Sequence, residues 1–380
     1  MITPRLLPRT ASGPRPGSVL SELGPTPSIV IVRRGRLGDM VVFSPALRTL
    51  RRALPGAHIT LIVDPAGEAM ARRYSWVDEV HVAPFPGNGR DESLDDFVLR
   101  LRRRRFDLAL QCTGGGDTMN EFVLRMGARF SAGQRAPGAP DLDLSMPFQQ
   151  PLQPEPLRLL DIMALIGAPA GEPWTEVPLF ARDREELARA GVVDMGALES
   201  GRVIGLHPGS GSGSRRWAPD RYACLLDSVI RETGRQVVIV GGADERAVAQ
   251  RVLSGVRYPE RVADATGCLS LGALIALLAD LYLYIGNDSG PAHIVTALDT
   301  PAVLIYGSGH PATWAPMRRV RQRPVYDRAA PCRAIGQKCG CKDDSSARCI
   351  DGVTVGVVLD NVRSLTRFLD MSPKRCMVSA

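Results

Sequence analysis

The chain has 380 residues, 44% of them apolar, which is enough for two domains of ordinary size with substantial cores. Its longest apolar run, residues 271–286, is interrupted by Asp280 and is too short to cross a bilayer; residues 1–27 hold six prolines and no apolar stretch of the secretory kind. The formal net charge is +7, but 44 of the 47 basic residues are arginine, a skew that codon composition produces as readily as selection for an acidic ligand. No nucleic-acid-binding module or interleaved aromatics accompany that charge, so nucleic acid is not an expected partner, and the densest cluster, Arg100 and Arg102 to Arg105, reads as a solvated helix end. A cytoplasmic protein is expected, with peripheral contact to an anionic inner-membrane surface left open.

Residues 1–27 read as a loose Pro-rich tail. "SIVIVRR" then gives a short β-branched run without period-2 polarity, as expected for a strand covered on both faces. The helix pattern behind it places Phe43, Ala46, Leu47, Leu50 and Leu54 on one face. "HITLIV", "EVHVA" and "FDLALQC" follow, each preceded by helical or turn sequence. The segment "IGAPAGEPWTEVPLFARD" is rich in Pro and Gly and reads as a linker. After it the pattern restarts with "RVIGLHPG", a helix with Pro219 in its first turn, and the strands "RQVVIVGG", "LYLYIGND" and "PAVLIYGS". Strands alternating with helices imply parallel βαβ units, hence an α/β fold of two Rossmann-like domains, residues 28–180 and 181–370, with a cleft between them and a short tail from 371. In such sheets ligands sit beyond the carboxyl ends of the strands.

Several standard signatures are absent: no Gly-Lys-Ser/Thr, no GxSxG, no H-E-x-x-H and no complete GxGxxG. Four stretches at strand ends remain. In "RRGRLGDMVV", Asp39 stands where a helix begins, as a cap or as a group facing ligand, and Arg33, Arg34 and Arg36 are either anion ligands or charge at a sheet edge. "HPGSGSGSRRWAPDRY" offers Ser210, further serines, and Arg215 or Arg216 to a phosphate, or is a flexible surface loop. "VIVGGADE" puts Glu245 just after a strand, where a carboxylate holds a ribose hydroxyl pair or simply favours a helix dipole. "IGNDSGPAHIVTAL" turns from strand to helix through Asp288, Ser289 and Gly290, with His293 inside the helix; free amides there suit a diphosphate, and an N-cap is the plain alternative.

Taken together and in this order, these four stretches resemble glycosyltransferase family 9, the bacterial ADP-heptose:lipopolysaccharide heptosyltransferases, over roughly residues 28–365. The resemblance implies a GT-B fold with an N-terminal acceptor domain and a C-terminal nucleotide-sugar domain. It implies inverting, metal-independent transfer, from ADP-heptose to a hydroxyl of a phosphorylated, lipid-linked inner-core saccharide. It also implies Asp39 as general base, and Asp288, Ser289, Gly290 and His293 at the donor's diphosphate and sugar. Glu245 falls at the nucleoside, and Arg215 where heptosyltransferases carry a phosphate-neutralising Lys. Arg33, Arg34 and Arg36 would hold the acceptor. A protein side chain or natural-product scaffold as acceptor, and a non-catalytic nucleotide-sugar-binding protein, are the alternatives.

Cys332, Cys339, Cys341 and Cys349 form C-x6-C-x-C-x7-C, four thiols within 18 residues. Such a group fits a structural zinc or iron site, and a subgroup of relatives acting on autotransporter proteins has an iron-binding Cys finger that this spacing resembles. Reduced buried thiols are the other reading. No cofactor is expected for catalysis.

Overall fold

The computed structural model describes residues 14–89, 91–114, 117–148, 152–330 and 349–371. The chain divides between Pro178 and Leu179 into two compact units. In the first, the strands are β1 (Ser28–Val32), β2 (His58–Val63), β3 (Glu79–Val82), β4 (Leu108–Gln111), β5 (Phe130–Arg135) and β6 (Leu144–Pro147). They form one parallel sheet in the order β3-β2-β1-β4-β5-β6. Register is set by buried aliphatics: Ile31 stands opposite Leu61 on one side and Leu110 on the other. Because helices cover both faces of such a sheet, the residues of β1 from Ile29 to Val32 are all buried.

The helix Leu37–Ala53 packs under this sheet despite Pro45 in its interior. A proline there removes the amide that would satisfy the carbonyl of Val41, and the Ser44 hydroxyl donates to that carbonyl instead, at 2.6 Å. The same Ser44 oxygen accepts the backbone N–H of Glu176 at 2.9 Å. Arg48 pairs with Glu176 and donates to the carbonyl of Glu172, and the Tyr74 hydroxyl donates to the carbonyl of Glu176. The Pro-rich segment read as a linker is therefore tied to the first unit at Glu172 and Glu176.

The second unit contains β7 (Val203–His207), β8 (Gln236–Ile239), β9 (Val262–Asp264), β10 (Leu283–Asn287), β11 (Ala302–Tyr306) and β12 (Gln322–Tyr326). Its sheet is parallel throughout, in the order β12-β11-β10-β7-β8-β9. Its core gathers Ile204, Leu206, Leu283, Ile285 and Val303 from the strands with Leu225, Leu226 and Val229 from the helix Pro219–Thr233. That helix starts with Pro219 and ends at Gly234 in the left-handed conformation. Both sheets read 3-2-1-4-5-6 in their own strand order, the doubly wound arrangement in which the first strand is central and the topology reverses between strands 1 and 4. Among the described residues no helix is long and apolar enough to cross a membrane.

Candidate active site

The site residues lie where the topology places ligands, beyond the carboxyl ends of the central strands of each sheet. In the first unit, the chain leaves β1 through Arg33, Arg34, Gly35 and Arg36 into the helix Leu37–Ala53, whose third residue is Asp39. The Asp39 Oδ2 accepts the backbone N–H of Arg36 at 2.8 Å, so the capping role is real. That bond leaves the carboxylate accessible, with the side chain 32% exposed. Gly35 adopts φ +129°, and a Cβ there would lie 2.4 Å from Asp39 Cγ, so only glycine lets the carboxylate fold back over the turn.

Arg33 departs from its expected role at the acceptor. Its side chain is 2% exposed and engaged: Nη1 lies 3.1 Å from Oε1 of Glu155, which is equally buried, and donates to the carbonyl of Cys112 at 2.8 Å. Its Nη2 lies 3.5 Å from Asp39 Oδ1. Arg33 is thus a buttress for Asp39. Glu155 in turn pairs with Arg158. Arg34 is half-buried, with Nε donating to Asp64 at 3.0 Å and the guanidinium 4.2 Å from the Phe85 ring centroid. Arg36 is exposed and has no ion pair among the described residues. Of the three arginines, Arg36 and Arg34 remain available at the surface.

In the second unit Asp288 follows β10 and is 1% exposed. Among the described residues neither carboxylate oxygen accepts a hydrogen bond, yet Arg215 Nη1 lies 3.6 Å from Oδ2 and His293 Nε2 3.6 Å from Oδ1. Asn287 fixes the turn: its side chain donates to the carbonyls of Pro208 and Gly209 and accepts from the Trp217 amide and the Tyr222 hydroxyl. Ser210 donates to the carbonyl of Asp288 at 3.2 Å. The serine loop is therefore not loose; Ser212, Ser214 and Ser308 are linked in a further hydroxyl chain. Ser289 occupies the N-cap position of the helix Gly290–Ala297 but makes no capping bond with its side chain. With Pro291 next, the Gly290 and Ala292 amides at that helix start have no intrahelical acceptor.

Glu245 stands after β8, and its Oε2 accepts the Gly242 amide at 2.9 Å and faces His207 Nε2 at 2.9 Å. Burial pushes its pKa up, but the hydrogen bond from His207, the Gly242 amide and Arg216 outweigh that, and the carboxyl sits below its ordinary value. The structure thus gathers Ser210, Arg215, Glu245, Asp288, Ser289, Gly290 and His293 along the tips of β7, β8 and β10. Asn287, His207 and, in the first unit, Glu155 and Asp64 were not singled out from sequence. His207 carried a usable signal: it is one of only five histidines and closes a buried strand directly before a Pro-Gly turn.

Cys332, Cys339 and Cys341 lie outside the described residues, and Cys349 is buried. Among the described residues no group of three or more His, Cys, Asp or Glu side chains is placed to hold a metal ion.

Residues 96–342 match the family model for glycosyltransferase family 9 (heptosyltransferase). The chain is 31% identical to lipopolysaccharide heptosyltransferase 2 of Salmonella typhimurium over 118 residues, spanning 30% of this chain and only 34% of that enzyme. It is 22% identical to lipooligosaccharide heptosyltransferase 2 of Haemophilus ducreyi over 305 residues, 77% of this chain and 86% of the relative. The solved structure of a family 9 glycosyltransferase from Veillonella parvula superposes with a TM-score of 0.74 at 20% identity, over 91% of this chain and 99% of that one. The E. coli ADP-heptose lipopolysaccharide heptosyltransferase II does so at 0.68 and 19% identity, over 90% and 99%. These likenesses give the fold as GT-B, and with the family match over most of its length the chain belongs to glycosyltransferase family 9.

Proposed function

We propose that this chain transfers a heptose from ADP-heptose to a hydroxyl of a phosphorylated lipopolysaccharide inner-core saccharide, with inversion at the anomeric carbon and without a catalytic metal. The observation that carries the reading is Asp288. A carboxylate that is 1% exposed, has no hydrogen bond among the described residues, and lies 3.6 Å from both the Arg215 guanidinium and the His293 ring is costly unless a ligand supplies donors. Sugar hydroxyls are donors of that kind. Arg215 and the free amides of the helix Gly290–Ala297 supply positive character for a diphosphate at the same turn, and Glu245 offers a carboxylate one loop away for ribose hydroxyls. The donor named in the E. coli relative supports ADP-heptose.

In this reading Asp39 takes the proton of the acceptor hydroxyl as its oxygen bonds to the anomeric carbon. The bond from that carbon to the diphosphate breaks, and its electron pair leaves with ADP. Arg215 and the helix amides stabilise the charge that gathers there. Arg34 and Arg36 meet the acceptor's phosphates. The acceptor's lipid anchor places the work at the cytoplasmic face of the inner membrane, as a peripheral enzyme.

The test is transfer from ADP-heptose to heptose-deficient lipopolysaccharide in the presence of EDTA, followed by mass spectrometry and by NMR of the new anomeric linkage. Asp39→Ala should lower turnover about 10²- to 10⁴-fold while ADP affinity is kept. Wild-type turnover in that variant refutes the base assignment, and a clear preference for a UDP-sugar refutes the donor.

A further inference from the structure

We propose that His207 is a positioning residue of the donor half-site, a single imidazole that locks the Glu245 loop and the Ser289 turn into one unit. The inference rests on the reading that these loops hold a nucleotide diphosphate. It deepens that reading by assigning a role to the first residue of the HPGSGSGS stretch, which sequence reading did not single out.

The topology puts His207 where it must touch both loops. β7 lies between β8 and β10, and His207 is its last residue, 2% exposed. Its Nε2 reaches Glu245 Oε2 at 2.9 Å, on the β8 side, and its Nδ1 reaches Ser289 Oγ at 3.0 Å, on the β10 side. A carboxylate only accepts, so Nε2 carries the ring proton and donates it. With one ring proton, Nδ1 is left as an acceptor, and the Ser289 hydroxyl donates to it. The chain of bonds therefore runs from Ser289 through His207 to Glu245 with one direction throughout.

Two consequences follow for ligand binding. First, Glu245 Oε2 is committed to His207 Nε2 and the Gly242 amide, which leaves Oε1 as the oxygen open to ribose hydroxyls. Second, the Ser289 proton is committed to His207, so Ser289 serves a diphosphate through its backbone and the neighbouring Gly290 amide, not through its hydroxyl.

The experiment measures ADP and AMP binding to the full chain by calorimetry for wild type, His207→Ala, His207→Gln and Ser289→Ala, with thermal melts alongside. In His207→Gln the side-chain NH2 can still donate to Glu245, while its acceptor Oε1 lies at the end of the side chain and not at the ring's Nδ1 position beside Ser289. His207→Ala should weaken ADP about 10- to 100-fold, since the buried Ser289 hydroxyl and the part-buried Glu245 carboxylate both lose this partner. His207→Gln should recover most of the AMP affinity lost in His207→Ala. Histidine ¹⁵N spectra of the wild type should show one buried imidazole protonated at Nε2. Unchanged ADP affinity in a folded His207→Ala overturns the proposal, as does an Nδ1-protonated ring. If His207→Ala does not fold, a His207→Gln variant that is folded but binds AMP no better than wild-type chain binds UMP overturns it equally. Absence of ADP binding to the wild type would instead sink the donor reading beneath it.

Discussion

Replacing Glu155 by Ala removes the carboxylate that holds Arg33 in place, and its effect can be worked from the surroundings. Glu155 and Arg33 are both 2% exposed and 3.1 Å apart, and Arg158 pairs with the same carboxylate. Removing one member of a buried ion pair costs about 3–5 kcal/mol, because the remaining charge stays buried without its counter-ion. Arg33 keeps the carbonyl of Cys112 and a second carboxylate, Asp39, which places the expected loss near the lower end, about 3 kcal/mol. For a unit of this size each kcal/mol moves Tm by about 2–4 °C, so the first unit should melt roughly 6–12 °C earlier. Hydrogen exchange of the amides in β1 and β4 assigns the change to that unit. A second readout separates stability from chemistry. Freed from Glu155, Arg33 is drawn fully to Asp39, so kcat should fall while ADP affinity, which the proposed function assigns to the other unit, holds. A Glu155→Ala chain destabilised by less than 1 kcal/mol, or one that loses ADP affinity as much as kcat, would refute this account. The double variant Arg33→Met, Glu155→Leu should recover part of the lost stability but not kcat.

Gly309→Ala should cut transfer more than about 10-fold with little change in Tm: the added Cβ would lie 1.9 Å from Asp288 Oδ2 and must push the carboxylate from its place between Arg215 and His293. Steady-state kinetics beside a thermal melt checks this, and a fully active variant would mean that Asp288 has freedom the packing does not suggest. Glu79 provides a pH test away from the site. A hydrogen bond from Arg104, reinforced by His81 and His58, holds its carboxyl at about 2 against a burial effect of opposite sign. A depressed acid stabilises the fold above its unfolded value of 4.5, and the contribution disappears as pH falls through about 2. Since both partners are about a third exposed, the contribution should be about 1 kcal/mol or less. The gap in urea midpoint between wild type and Glu79→Gln should therefore shrink between pH 5 and pH 2; a constant gap would show that the pair does not couple to folding.

How much of this was legible in the sequence follows from what each segment is made of. β1, β2, β7, β10 and β11 are mostly Ile, Val, Leu and Tyr, and their burial on both faces was readable from composition. β5, "FSAGQR", was not, because its buried positions are small or polar. Ser131 is satisfied by Asp143 at 2.7 Å and the Gln134 side-chain carbonyl by Arg158, partners that exist only once the chain is folded. β12 carries Pro324, which argues against a central strand and is tolerated at this sheet edge. β9 is three residues long. The site followed the same rule. Asp39, Asp288 and Glu245 were found because they follow readable strands, whereas Glu155 begins a helix 116 positions beyond Asp39 and joins the site only through Arg33. The three arginines with two open readings split by burial: Arg33 went inward, while Arg34 and Arg36 stayed at the surface.

The two units reach a common solution by different chemistry. Each sheet has its first strand in the centre, so the residue at that strand's carboxyl end is overlooked by loops from both neighbouring strands. In the first unit that residue is Arg33, which spans from Glu155 to Asp39; in the second it is His207, which spans from Glu245 to Ser289. Both are buried cations or potential cations holding carboxylates that a ligand must find in a fixed place. The difference fits the work proposed for each half. Arg33 is permanently charged and only donates, so it steadies a carboxylate without taking part in proton traffic near the base. His207 both donates and accepts, which lets one side chain fix an acceptor for ribose on one loop and orient a hydroxyl on the other. Exchanging them, Arg33→His or His207→Arg, should therefore fail at both positions: histidine is too short to bridge Glu155 and Asp39, and arginine has no acceptor to offer Ser289. Recovery of transfer by either exchange would show that charge alone, and not the direction of the hydrogen bonds, is what the strand tip must provide.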